Sequence, residues 1–110
     1  MIRKISVICV CVSVAMHAAL TFSVQGQADE KSEGLYRAKC AVCHGATGKG
    51  DTPAGKSMGV LSFSDPAVAA KSDAELKATI EKGKNKMPAY GKSLKPEEIQ
   101  GLVAYIRSLK

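Results

Sequence analysis

Cys40-Ala41-Val42-Cys43-His44 puts two thiols and an imidazole within five positions of a 110-residue chain, and no other run in it gathers ligand chemistry so closely. The pattern is C-x-x-C-H, the attachment signature of c-type haem. On a helical turn, residues three apart face the same way, so Cys40 and Cys43 can reach the two vinyl groups of one porphyrin. His44 is then carried under the ring, where a neutral imidazole can bind iron once its other nitrogen is held. Pro53, or a backbone carbonyl beside it, is the expected holder. Three other chemistries compete for the motif. A thioredoxin-like redox pair needs a βαβ surround, and none is visible in the sequence. A structural zinc needs a fourth ligand, and no second histidine or cysteine pair follows residue 28. A disulfide would close a very small loop, constrain little of the unfolded chain and leave His44 without a task.

Upstream of the motif, Arg3 and Lys4 precede an apolar run from Ile5 to Val24, and Gln25-Gly26-Gln27-Ala28 brings small side chains to its exit. That order is expected of a secretory signal peptide spanning residues 1–28, cut after Ala28. The run is also long enough to remain as an uncleaved membrane anchor. His17 in its middle and the small-residue exit favour cleavage, and Cys9 and Cys11 would leave with it. One domain, residues 29–110, is then expected to be exported to the periplasm or beyond. Losing Arg3 and Lys4 leaves fourteen basic residues against all ten acids, a formal charge of +4. So short a chain buries a modest core and gains from a cofactor at its centre.

Helical signals dominate this domain. A helix is expected from about Ser32 to Ala41, and Gly45 to Gly59 reads as a loop crowded with Gly, Thr, Pro and Asp. Asp65 and Pro66 can cap and open a short turn. Ser72 and Glu75 form a capping box for a helix carrying Leu76 and Ile80 and ending at Gly83. A second loop runs from Lys84 to Lys95. The last helix is expected from Pro96 to about Leu109, with Ile99, Leu102, Val103, Ile106 and Leu109 at helical spacing. No convincing strand is present. The fold class is all-α, with glycine-rich loops long enough to wrap something.

The candidate second iron ligand is Met87, set in Lys86-Met87-Pro88-Ala89-Tyr90-Gly91. Pro88 fixes the backbone there and Gly91 permits a turn, so the loop can close over a ring from the side away from His44. Met58 is the other methionine after residue 28. Only fourteen residues beyond His44, it is expected to pack as an apolar plug against the porphyrin.

LYRAKCAVCHGATGKGDTPAGKSMG (35–59) and KMPAYGKSLKPEEIQGLVAYIRSLK (86–110) together resemble the short bacterial class I cytochromes c, soluble monohaem carriers of the cytochrome c6/c553 kind. The ordered set of C-x-x-C-H, M-P-x-[FY] and an Ala-Tyr-Ile helix end carries the resemblance across nearly all of the domain. It implies about four helices and long loops wrapped around one covalent haem c, with His44 and Met87 as axial ligands. It also implies that the first and last helices cross, packing Tyr36 and a small neighbour against Leu102 and Tyr105. Many relatives have Gly at that small position; Ser32 stands here. The Trp that longer members place near a haem propionate is missing, which fits the short type.

With both axial positions filled by protein, the expected activity is one-electron transfer through the ring edge, with no small-molecule substrate and no catalysis. Lys82, Lys84, Lys86, Lys92 and Lys95 fall in a stretch without an acid, and are expected to steer docking of a monomer onto redox partners with acidic surfaces. Nucleic acid does not suit an exported chain with so small a basic excess. An open iron, serving a peroxidase or a small-ligand sensor, is the alternative if Met87 merely packs; no distal His, Arg or acid is placed by the sequence to assist it.

Overall fold

A computed structural model describes residues 29–109; the expected signal peptide, with Cys9, Cys11 and His17, lies outside them. Six helical segments follow one another: α1 (Glu30–Lys39), α2 (Ala41–His44), α3 (Pro53–Met58), α4 (Pro66–Ala69), α5 (Asp73–Lys82) and α6 (Pro96–Ser108). Among the described residues the only extended pairing is an isolated antiparallel bridge between Lys84 and Met87. The all-α expectation holds, with one addition. The region expected to be a loop between Gly45 and Gly59 contains α3. Thr52 caps it by accepting the Gly55 amide at 2.9 Å, and Pro53 occupies the first turn. Six residues are too few to show an amphipathic period, so composition alone read as loop.

Local signals set the other boundaries. Asp29 accepts the Ser32 amide at 2.7 Å, which starts α1 two residues earlier than the apolar pattern suggests. Asp65 caps α4 with Pro66 behind it. Ser72 and Glu75 exchange bonds of 3.1 and 2.7 Å as a reciprocal capping box on α5.

The core is Tyr36 from α1, Leu76 and Ile80 from α5, Leu94, and Ile99, Leu102, Val103 and Ile106 from α6. α1 and α6 cross through it as expected. Ser32 is buried where they meet, facing Gly101, and a Cβ on that glycine would collide with the serine hydroxyl. Tyr36 is fully buried, with its ring centroid 5.1 Å from that of Tyr105. A Lys31–Glu98 ion pair at 3.0 Å flanks the crossing, but an exposed lysine holds it weakly, and close approach does more. At the far end of α6, Arg107 reaches Asp73 at 3.0 Å and also donates to the carbonyls of Ala69 and Lys71. That fastens the α4–α5 connection to α6.

Candidate haem-attachment site

The helical path from α1 into α2 breaks at Cys40, whose backbone sits at φ −114 and ψ −38. Beyond the break, the amides of Cys43 and His44 both turn to the Cys40 carbonyl, at 3.2 and 2.9 Å. Cys40, Cys43 and His44 therefore share one tight turn, with both thiols free and half-buried. Burial pushes the Cys40 thiol up to about 11. It also lowers the His44 pKa, which keeps the imidazole neutral, the form that ligates iron.

Neighbouring segments clamp this turn from several sides. Thr52 donates its hydroxyl to the Val42 carbonyl at 2.7 Å and lies 3.2 Å from that of Cys43, while the Tyr36 hydroxyl donates to Gly45 O at 2.7 Å. Gly55 lies so close to the turn that a Cβ there would strike the carbonyls of Cys43 and Gly50. The His44 ring stacks on Phe63, centroids 4.8 Å apart and planes 23° from parallel. Phe63 also lines a cleft of about 470 Å³ with Val68, Leu76, Ile106 and Leu109, so apolar space adjoins the histidine.

One expectation about this histidine is corrected. Its Nδ1 is buried without a hydrogen-bond partner, so neither Pro53 nor a nearby carbonyl holds it. Pro53 opens α3, and a carbonyl at a first helical position is directed along its own helix. The ring is braced by its stack on Phe63 instead. Nothing in the sequence marked Phe63, because stacking depends on a long-range approach that spacing does not encode.

Met87 lies in the second half of the domain, half-buried and packed against the same core that Cys40 touches. It ends a tight hairpin in which Lys84 N donates to Met87 O at 3.2 Å and Met87 N to Lys84 O at 2.9 Å. Asn85 occupies the left-handed region at φ 53, which asparagine tolerates better than most residues. Gly83 is needed beside it. Its φ is +72, and a Cβ there would sit 2.5 Å from the Met87 carbonyl and 3.0 Å from Ala89 N. Met58 is 42% exposed at the end of α3.

These features fit a covalent haem: two free thiols on one turn, a neutral imidazole next to them, and a methionine brought to the same core from the other half of the domain. They do not suit a bare metal ion, since no three His, Cys, Asp or Glu side chains among the described residues gather as ligands. Lys82, Lys84, Lys86, Lys92 and Lys95 are all exposed.

Comparison with known proteins agrees with that fit. Residues 27–106 match the family described as "Cytochrome C oxidase, cbb3-type, subunit III". Over 77 residues the chain is 38% identical to cytochrome c6 of Anabaena variabilis, covering 66% of this chain and 80% of that protein. Among solved structures it resembles the "KustC0563 c-type cytochrome" at a TM-score of 0.66 and 32% identity, covering 72% of this chain and 96% of the other. A tyrosine-to-phenylalanine variant of the same protein superposes with a TM-score of 0.65 at 30% identity, covering 73% and 99% of the two chains. The chain thus belongs to the cytochrome c family, as a small class I-like member that carries covalent haem c and transfers electrons rather than catalysing a reaction.

Proposed function

We propose that Cys40 and Cys43 hold the haem through thioethers and that His44 and Met87 are its axial ligands, making the chain a one-electron shuttle between respiratory or photosynthetic redox proteins. The haem supplies the one-electron couple, and the chain supplies the rest. His44 enters as a neutral base braced by Phe63, and the Gly83–Gly91 arm presents Met87. A methionine ligand raises the potential relative to a second nitrogen ligand.

The observation that carries this reading is the convergence of the two halves. The Tyr90 hydroxyl, three residues after Met87, donates to the carbonyl of Lys39, the residue before Cys40, at 3.2 Å. That bond sets the methionine arm beside the attachment turn. Export to the periplasm, with residues 1–28 removed after Ala28, accords with the position of Asp29. The helix cap directly follows the cut and survives it. The five exposed lysines around the Met87 arm suit acidic docking surfaces, and their attraction falls as salt is raised.

Optical spectra of the exported protein test the assignment. A weak long-wavelength methionine–iron band in the oxidised form, lost in Met87→Ala while the haem stays covalent, is the expected result. Met87→Ala should also lower the potential and admit carbon monoxide. A high-spin spectrum in the unmodified protein that shifts with carbon monoxide would sink the Met87 assignment and bring forward an open-iron reading. An unaltered potential in Met87→Ala would move the ligand elsewhere.

A further inference from the structure

Tyr90 occupies the last position of the M-P-x-[FY] pattern, where phenylalanine would fill the same space without a hydroxyl. Here the hydroxyl has a specific partner, created by the break at Cys40. In a continuous helix the Cys43 amide would donate to the Lys39 carbonyl. At this break it donates to Cys40 instead, and the Tyr90 hydroxyl takes its place on Lys39, at 3.2 Å. The other end of the residue is fixed as firmly. Tyr90 N donates to Ile80 O at 2.9 Å and Gly91 N to Glu81 O at 3.0 Å, so the backbone is riveted to the last turn of α5. Between these rivets and the Lys84–Met87 hairpin, only Pro88 and Ala89 remain, both exposed. Among the described residues, the phenol is therefore the only hydrogen bond that runs from the methionine arm to the attachment turn.

The geometry points to Tyr90 as a positioning residue for Met87: its hydroxyl latches the methionine arm to Lys39 and opposes departure of the thioether from iron. This rests on the assignment of Met87 as a ligand. The latch makes no contact with iron. It acts on the equilibrium between an arm that is closed and one that has swung away. A net hydrogen bond of ~1 kcal/mol corresponds to about a fivefold change in that equilibrium. An external ligand that needs the arm open gains affinity by the same factor, because its apparent dissociation constant scales inversely with the open fraction.

The test titrates imidazole into oxidised holoprotein, following the methionine–iron band, for the unmodified chain, Tyr90→Phe and Ser72→Ala. Ser72→Ala removes a cap on α5 far from the arm, so it reports what lost stability alone does to imidazole binding. The expected result is a normal band in Tyr90→Phe, imidazole binding about fivefold tighter, and affinity in Ser72→Ala unchanged. Equal affinity in Tyr90→Phe and the unmodified protein overturns the latch while leaving Met87 as ligand. Equal tightening in both variants also overturns it, reducing Tyr90 to general stability. If the unmodified protein shows no band, and Met87→Ala binds imidazole no more tightly than it does, the ligand assignment fails and takes the latch with it.

Discussion

The attachment turn and the methionine arm are built on different principles. Around His44 the chain is interlocked by packing: Gly45, Gly48, Gly50 and Gly55 are buried, Tyr36 and Thr52 donate hydroxyls into the turn, and Phe63 covers the imidazole. Backbone bonds add to the knot, with Gly50 N on His44 O at 2.8 Å and Phe63 N on Gly48 O at 2.9 Å. Around Met87 there is a two-bond hairpin, a pair of rivets to α5 and one phenol, while Asn85, Lys86, Pro88 and Ala89 face solvent. Few buried contacts and exposed hydrogen bonds are the marks of low local stability. On the proposed ligation, one ligand is fixed by the fold, and the other is held by a device that a small perturbation can open. A carrier gains from this division: the haem cannot be lost, yet the sulfur can be adjusted.

Crowding the attachment turn should cause the largest damage. Gly55→Ala drives a methyl into the carbonyls of Cys43 and Gly50, which are backbone and cannot rotate away. The expected cost is about 3 kcal/mol of holoprotein stability, read from the denaturant midpoint, with poorer haem attachment in the exported fraction. A loss under about 1 kcal/mol would mean that the turn yields, and that its interlocking is less strict than the contacts imply.

On the methionine side, Gly83→Ala introduces both a strained φ and a contact with the Met87 carbonyl. A cost of about 1–2 kcal/mol is expected, smaller than at Gly55 because hairpin and lysines can shift into solvent. Its signature should be local. The temperature at which the methionine–iron band fades should drop further than the far-ultraviolet Tm. If the two fall together, arm and turn unfold as one unit and the contrast between them collapses.

What the sequence disclosed follows the same division. Chemistry and capping were legible because they are local: C-x-x-C-H, the Ser72–Glu75 box, the α6 stripe and the Met87-Pro88 loop each declare themselves within a few residues. The α1–α6 crossing was legible through likeness to short cytochromes, and the structure adds that Ser32 meets Gly101 there. The braces of the site were not legible. Phe63 reaches His44 across nineteen positions and the Tyr90 hydroxyl reaches Lys39 across fifty-one. Neither approach has a periodicity to betray it. α3 was hidden for another reason, since Thr52-Pro53 is a good start signal followed by too short a helix to repeat.

The smallest expected effect concerns acid, and it bears on which end of the molecule gives way first. Asp29, Glu75 and Glu98 all have carboxyls held below their ordinary values, by hydrogen bonds from Ser32 to Asp29, from Ser72 to Glu75 and from the Lys95 amide to Glu98, with Lys31 also paired to Glu98. A depressed folded pKa means that the unfolded chain takes up protons more readily. The stabilisation is complete above the unfolded value and fades as pH falls through the folded one, from about pH 5 downward. Two of these caps, on α1 and α6, bracket the crossing; the third starts α5, whose far end carries the methionine arm. Asp29 and Glu75 are exposed and only Glu98 is half-buried, so the slope should be shallow. Glu98→Gln and Glu75→Gln should each flatten the acid limb of holoprotein stability and leave the methionine–iron band at pH 4 unchanged, since neither cap touches the arm. If both variants keep the full acid slope, the limb belongs to groups nearer the haem, and the caps fix helix starts without setting acid tolerance.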